Sequence, residues 1–418
     1  MGNIGILEIT DTAVRLLVGQ YANDEVSIVF TKELPIEGYI ERGEVKSVDQ
    51  ILDVIKSLAK LKDDEANVNL QLNRIALVLP PIGFKIFETR KSTNTVSSTM
   101  KILPMDIENV LSLAQKDLTN PGFEVVDVVP QLFFLGQDKY TKIPPLGEES
   151  RTLAIIARIF ALPSSLISTY VRRIVEPSGL SLTKSIVSTV AIEEVCKKAL
   201  PSIPNHYLVD IGEGYTKVAL VGSNCPVSSG TFPKGTMDLI KMISSRFNIP
   251  FAKARELLEV YGIEDRHTKF MPPIIESINE EGLKSVYTLD ELSNIIKEFF
   301  VEFFNDLDVC VLSVQKGFEP SKVNGLPFIL TGGVTAMKGL SQLFKTRYPS
   351  VMIHNLKSNI LGAREQKYIP LIGALLYSAT YKGCLTDSNN NVTPLDREEE
   401  VKDEKKKTGL RAFFGGNK

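Results

Sequence analysis

The sequence predicts an α/β protein of two lobes made by duplicating one pattern, with an extra subdomain set into the first lobe. The order strand, tight turn, strand, strand, helix, strand occurs twice, about half a chain apart. A long stretch between the two copies fits neither of them. The second copy closes on "PFILTGG", a buried strand ending on two glycines.

In the first copy, "IGILEI", the turn "TDTA", "VRLLVG" and "EVSIVFTKEL" read as three strands joined by tight turns. In "VDQILDVIKSLAKL", Val48, Ile51, Leu52, Ile55, Leu58 and Ala59 recur at helical spacing, and "RIALVLPP" follows as a strand. From residue 206 the pattern returns as "HYLVDI", "GEGY", "TKVALVG" and "CPVSSGTF", then the helix "TMDLIKMISSRF". Phe299, Phe300, Phe303 and Phe304 share a helical stripe in "NIIKEFFVEFFNDLDVCVLSV", as a core-facing surface requires. The expected organisation is residues 1–83 as the first lobe, 84–167 as the insert and 168–205 as the return to the first lobe. Residues 206–382 then form the second lobe, 383–404 an acidic linker and 405–418 an amphipathic helix.

Composition narrows the function classes. The chain has 418 residues, 43% hydrophobic and 23% charged, enough for sizeable cores in more than one domain. A net charge of −2 argues against binding nucleic acid over the whole surface. Cys196, Cys225, Cys310 and Cys384 show no C-x-x-C spacing, and His206, His267 and His354 are equally dispersed. That scatter argues against zinc sites and disulfide frameworks and fits a reducing cytoplasm. The start "MGNIGILEIT" reads as a core strand, with no basic leader before it. The apolar run "LAIIARIFAL" is too short to span a bilayer and carries Arg158.

The turn "VDIGEGYTKV" places glycines where a backbone can approach an anion. It runs from strand to strand and lacks a third glycine, so it fits neither the dinucleotide fingerprint nor the P-loop. Two strand-turn-strand units with a glycine pair ending a later strand resemble the actin, heat-shock-70 and sugar-kinase superfamily. That resemblance implies two lobes around a nucleotide cleft, hairpins clamping the phosphates of ATP, and Mg²⁺ held through water by Asp210 and Glu8.

Within the superfamily the chain resembles FtsA, the actin-like cell-division family. The insert carries Val129, Pro130 and Gln131, the turn at Gly136, then Pro145, Gly147, Gly179 and Leu180 in the family's order. "IEGYIERGEVKSVDQI", "FPKGTMDLIKMISSRFNIPFAKARELLEVYG", "PFILTGGVTAMKGLSQLFK" and "YIPLIGALLYS" continue the match from residue 5 to residue 382. The resemblance implies a head-to-tail polymer on the cytoplasmic face of the membrane at the division site. It also implies capture of the FtsZ C-terminal peptide and contacts with other divisome proteins.

Three of four nucleotide-contact regions depart from the FtsA pattern. Thr10, Asp11 and Thr12 form the first phosphate turn, where the family usually has glycine then threonine or serine. Gly212 and Gly214 are kept in the second, but Glu213 and Tyr215 replace a glycine and a threonine, ahead of Gly235. Arg255 and Leu258 stand where a glutamate and a lysine meet the nucleoside; only Thr331, Gly332 and Gly333 match throughout. Two readings stay open. Either Asp11 and Glu213 face the triphosphate and weaken nucleotide binding and hydrolysis, or they face solvent and the backbone N–H groups alone matter.

After Tyr381 the chain turns polar and acidic, as a flexible linker does, and ends in "KKKTGLRAFFGGNK". On a helix, Leu410, Phe413 and Phe414 share one face, with Lys405, Lys406, Lys407 and Arg411 elsewhere, the pattern of a helix lying on an anionic membrane. Arg266, His267 and Lys269 lie in the region by which FtsA-like proteins receive FtsZ, and Lys297 stands in for an expected arginine there. A solvated loop is the plain alternative for that basic cluster. The rival function classes are the actin-like platform of a pilus or secretion machine, and a sugar-kinase-type phosphotransferase.

Overall fold

In the computed structural model, residues 3–23, 25–63, 68–71, 74–118, 120–136, 139–263, 273–278 and 284–380 are described. Strands β1 (Ile4–Ile9), β2 (Ala13–Ala22) and β3 (Glu25–Pro35) form an antiparallel meander. Its register sets Glu8 opposite Arg15 and Arg15 opposite Glu33. A short hairpin, β4 (Ile40–Glu41) and β5 (Glu44–Val45), leads into α1 (Val48–Ala59), which buries Ile51, Ile55 and Leu58. The pair β6 (Lys60–Asp63) and β7 (Val68–Gln71) precedes β8 (Arg74–Leu79), which lies parallel to β1. Ile75 to Leu79 are all buried, as expected of a central parallel strand covered on both faces.

The chain divides into two compact units, the second formed by Phe87–Asn120 and Asp127–Phe160 among the described residues. It contains most of β9 (Lys85–Asn94), all of α2 (Pro104–Gln115) and β11 (Lys139–Thr141), and most of β10 (Phe123–Leu135) and β12 (Thr152–Pro163). These strands make one sheet in the order β11-β10-β12-β9. Ile107, Val110, Leu111 and Ala114 form the buried stripe of α2. At its start the Asp106 carboxylate accepts from the N–H groups of Leu103 and Val96, both at 2.8 Å.

In the first unit, α3 (Ser164–Ile167) runs on as a wide π-helical segment, Ser168–Val175, and β13 (Ser181–Val187) then joins β8 in parallel. Helix α4 (Ser188–Ala199) ends the first half. The second half repeats it with β14 (His206–Ile211), β15 (Thr216–Val221), β16 (Pro226–Phe232), α5 (Thr236–Phe247) and α6 (Phe251–Val260). After the hairpin β17 (Pro273–Ile278) and β18 (Lys284–Thr288) comes the long α7 (Leu289–Gln315). Thr288 and Glu291 form a capping box at its start, and Phe299, Phe300, Phe303 and Phe304 are buried as the spacing predicts. The Phe304 and Phe344 rings meet edge to face at 5.0 Å. The half closes with α8 (Pro320–Val323), β19 (Phe328–Thr331), α9 (Leu340–Arg347), β20 (Ile353–Asn355) and α10 (Ile369–Thr380).

The two large sheets are the same object twice. Their orders are β3-β2-β1-β8-β13 and β16-β15-β14-β19-β20, each an antiparallel meander followed by two parallel strands. Sequence order assigns residues 369–380 to the second lobe, but α10 packs on β1, β2 and α4 of the first. Two glycines permit this: a Cβ on Gly373 would lie 1.8 Å from the Ala191 carbonyl oxygen, and one on Gly19 would lie 2.7 Å from Leu375 Cδ2.

Candidate functional site

The first turns of the two meanders border one cavity of about 870 Å³, a size typical of small-molecule sites. In the first turn, Thr10 N donates to Ala13 O at 2.9 Å and Ala13 N donates to Thr10 Oγ1 at 3.1 Å, closing the turn on itself. Asp11 is turned inward and is only 8% exposed. Its Oδ1 accepts from Gly43 N at 2.7 Å, while Oδ2 has no hydrogen-bond partner. Gly43 is fixed in turn by Tyr170, whose hydroxyl donates to the Gly43 carbonyl at 3.0 Å.

The second turn explains its own glycines. A Cβ on Gly214 would lie 2.0 Å from Asp11 Oδ2 and 3.3 Å from Arg42 Cα, because the first turn and the β4–β5 hairpin press onto it. A Cβ on Gly235 would lie 2.3 Å from the Glu213 carbonyl oxygen. Thr236 N donates to Gly212 O at 3.0 Å and Met237 N to Glu213 O at 2.9 Å, so loop carbonyls satisfy the first donors of α5. Arg42 Nη2 also reaches Asp238 Oδ1 at 3.1 Å, joining the halves across the turn.

Charges along the cavity are largely neutralised by neighbours. Lys217 faces Asp210 across β14–β15 and donates to it at 2.7 Å. Arg15 lies 3.7 Å from Glu8 and 3.2 Å from Glu33, and Lys367 lies 2.5 Å from Glu33 and 3.0 Å from Glu365. Burial raises the Glu8 carboxyl above the usual range against the opposing field of Arg15. Burial likewise raises Asp11, more than the Gly43 N–H and Lys217 lower it. Glu33 is drawn the other way: burial favours its protonated form, but the hydrogen bond from Lys367 and the charge of Arg15 bring it below its ordinary value. The Tyr215 hydroxyl is pushed well up by burial, with Asp11 and Asp210 adding to it.

Glu8, Thr10, Asp11, Asp210, Gly212, Glu213, Tyr215, Arg255, Leu258, Gly332 and Gly333 all line the cavity. Glu213 is turned toward α6, with Arg255 Nη1 at 3.7 Å from its Oε1 and its Oε2 without a hydrogen-bond partner. Thr12 is held elsewhere, its carbonyl accepting from Ile36 N at 2.8 Å, and Gly235 precedes α5 as its cap. Gly332 has φ +99°, and a Cβ there would lie 2.2 Å from Ile211 O; Gly333 opens on free space. The first is a requirement of packing. Lys297 sits half-buried on α7. Arg266, His267, Lys269, Lys405, Lys406, Lys407, Leu410, Arg411, Phe413 and Phe414 lie outside the described residues.

Sequence reasoning missed Arg15, Lys217, Tyr170, Arg42 and Lys367. Arg15 and Lys217 had a signal: the tight turns fix the register that sets each opposite an acid. The other three arrive through contacts distant in sequence.

The residues fit a magnesium nucleotide at one end only. The β19 end, with Gly333 open, offers room for a base. At the other end Asp11 occupies the gap between the turns, carbonyls take the first α5 donors, and Asp210 and Glu8 have cations beside them. A triphosphate with Mg²⁺ does not fit that arrangement without displacing it.

No protein-family model matches the chain. The cell division protein FtsA of Enterococcus faecalis is 25% identical over 386 residues, covering 89% of this chain and 82% of that protein. FtsA of Enterococcus hirae is 23% identical over 381 residues, with the same shares covered. Among solved structures, the PilM-PilN type IV pilus biogenesis complex matches with a TM-score of 0.56 at 15% identity, covering 89% of this chain and 97% of that one. With its duplicated sheets, the chain is an actin-like α/β protein distantly related to FtsA.

Proposed function

We propose that the chain is a polymerising actin-like adaptor that holds FtsZ filaments on the cytoplasmic face of the membrane at the division site, through an amphipathic helix at residues 405–418. The similarity to FtsA across 82% of the length of the two Enterococcus relatives is the observation that carries this reading. The body of the adaptor assembles head to tail, with the four-stranded unit as one of its contact surfaces. Its tail binds anionic lipid, and its second lobe receives the FtsZ C-terminal peptide, with Arg266, His267, Lys269 and Lys297 as the residues to test. Other divisome proteins join through the same polymer. ATP and Mg²⁺, if taken up at all, bind weakly, because Asp11 and Glu213 add carboxylates to the phosphate end. ATP hydrolysis is accordingly slight or absent.

One tail is a modest anchor. Three large apolar side chains are worth roughly 1.5–3 kcal/mol each when fully buried and less at an interface, and each basic residue adds about 1 kcal/mol. A polymer multiplies that anchoring, because each later tail meets the surface at high effective concentration.

The test is co-sedimentation of the full chain with anionic vesicles and FtsZ, with and without residues 405–418 and with and without Mg-ATP. Tail-dependent recruitment of FtsZ to vesicles supports the proposal; FtsZ left in the supernatant refutes it. The likeness to the PilM-PilN complex favours a second reading, a platform protein of a pilus machine, for which the tail is dispensable.

A further inference from the structure

The dispersed cysteines and histidines of the sequence argue against a zinc site, but folding brings one of each together. Glu193 and Cys196, three residues apart on α4, meet His206 at the start of β14, their ligand atoms all within 4.8 Å of one another and all three residues buried. Cys196 holds no disulfide.

Protonation leaves the cluster without a donor at its centre. His206 Nδ1 faces the Ile203 carbonyl at 3.1 Å, and a carbonyl only accepts, so the ring proton sits on Nδ1. Nε2 lies 3.0 Å from Glu193 Oε2, and the two are not aligned as a hydrogen bond. Neither Glu193 oxygen has a hydrogen-bond partner, although the side chain is only 1% exposed. A buried carboxyl group, an imidazole nitrogen and a sulfur converge on one point, and a positive charge between them, a metal ion or a shared proton, would satisfy all three.

We propose that Glu193, Cys196 and His206 bind a divalent metal ion of the zinc class, which ties the last helix of the first half to the first strand of the second. The donor set selects the ion: thiolate with imidazole favours zinc over magnesium or calcium, which take oxygen ligands. Bond lengths of about 2.0–2.3 Å from one ion to N, O and S need donors closer together than the 4.8 Å that bounds these, a small inward adjustment of the side chains. The Ile203 carbonyl is the outer partner that a ligating histidine uses to fix its tautomer. Three protein donors leave one of four positions, which a water molecule would fill. On binding, the Cys196 thiol releases its proton to solvent, so the ion replaces a proton. With all three donor residues buried, the site is structural. It stiffens residues 200–205, where the chain crosses between the halves.

The experiment uses the full chain, purified without a polyhistidine tag, equilibrated with Zn²⁺, gel-filtered and analysed for bound metal. About one zinc per chain is expected, with Tm falling on chelation, as for a metal that binds only the folded state. Co²⁺ in place of Zn²⁺ should show a thiolate charge-transfer band that Cys196→Ser abolishes, and His206→Gln should weaken Zn²⁺ binding at least tenfold. A chain that retains no zinc overturns the proposal, with a proton shared by Glu193 and His206 filling the site. Equal zinc on both variants overturns it too, as metal bound elsewhere. Should the variants fail to fold, the native chain decides alone: no thiolate band with Co²⁺ excludes Cys196 as a ligand.

Discussion

Replacing Asp11 by Asn separates the charge of the phosphate-end carboxylate from its shape. Asn keeps the acceptor that Gly43 N meets at 2.7 Å and leaves Gly214 against a group of the same size, while removing a charge from a residue 8% exposed. Because burial raises the folded pKa of Asp11 above its ordinary 3.8, the native state holds this proton more tightly than the unfolded chain. The stability it contributes is therefore greatest below the unfolded value and is lost as pH rises through the folded one. At neutral pH, Asp11→Asn should stabilise the protein by about 1–2 kcal/mol in urea unfolding and flatten that part of the pH profile, leaving the slope due to Glu8. It should also help an anion enter: a unit charge about 4 Å from a phosphate at an effective dielectric near 20 opposes it by about 4 kcal/mol. With screening by salt and Mg²⁺, roughly a ten- to hundredfold lower Kd for Mg-ATP is expected by calorimetric titration at one salt concentration. Tight binding by the native chain, or a variant both less stable and no better at binding, would refute the reasoning.

Glu213→Gly with Tyr215→Thr should also strengthen Mg-ATP binding, but should cost about 2 kcal/mol of stability, since the Tyr215 ring packs beside Gly43; unchanged affinity would count against a charge effect. Phe413→Glu with Phe414→Glu should abolish sedimentation with anionic vesicles while circular dichroism stays native, and retained binding would sink the anchoring role. Excising residues 87–160 should leave a folded protein that no longer forms filaments on lipid monolayers under the electron microscope. Among the ties lost from segment 121–126 are the Gly122 carbonyl bond to Ser164 N and the Glu124 pair with Arg172. Gly373→Ala should destabilise by about 2–3 kcal/mol in thermal unfolding, because its Cβ meets the backbone of Ala191.

The fold was legible wherever local physics decides it. Short apolar strands joined by tight turns announced both meanders, and helical spacing announced α1 and the phenylalanine stripe of α7. What could not be read were contacts made after the chain returns on itself. Gly373 is an ordinary helix residue in the sequence, yet it is the reason α10 can close on α4. At the cavity, residue type showed that Asp11 and Glu213 were anomalous but not where they point. One turns to Gly43 and the other to Arg255, so neither open reading, facing phosphates or facing solvent, describes them fully. Glu193, Cys196 and His206 look unrelated because metal-site expectations rest on short repeated spacings, whereas here a helix face and a strand start supply the donors.

In a two-lobed fold with two tight turns facing a common gap, something must offset the repulsion and exposed donors left between them. Here the chain supplies it internally. Asp11 bridges the first turn to Gly43 and rests on Gly214, loop carbonyls satisfy α5, and Arg42 reaches Asp238 from the opposite half. The Asp11–Gly214 and Arg42–Asp238 contacts join the two halves directly across the gap. The exposed Arg42 pair is worth at most about 1 kcal/mol, which leaves the buried Asp11 contacts as the main tie. Under the proposed function, assembly then follows local protein concentration at the membrane more than nucleotide state.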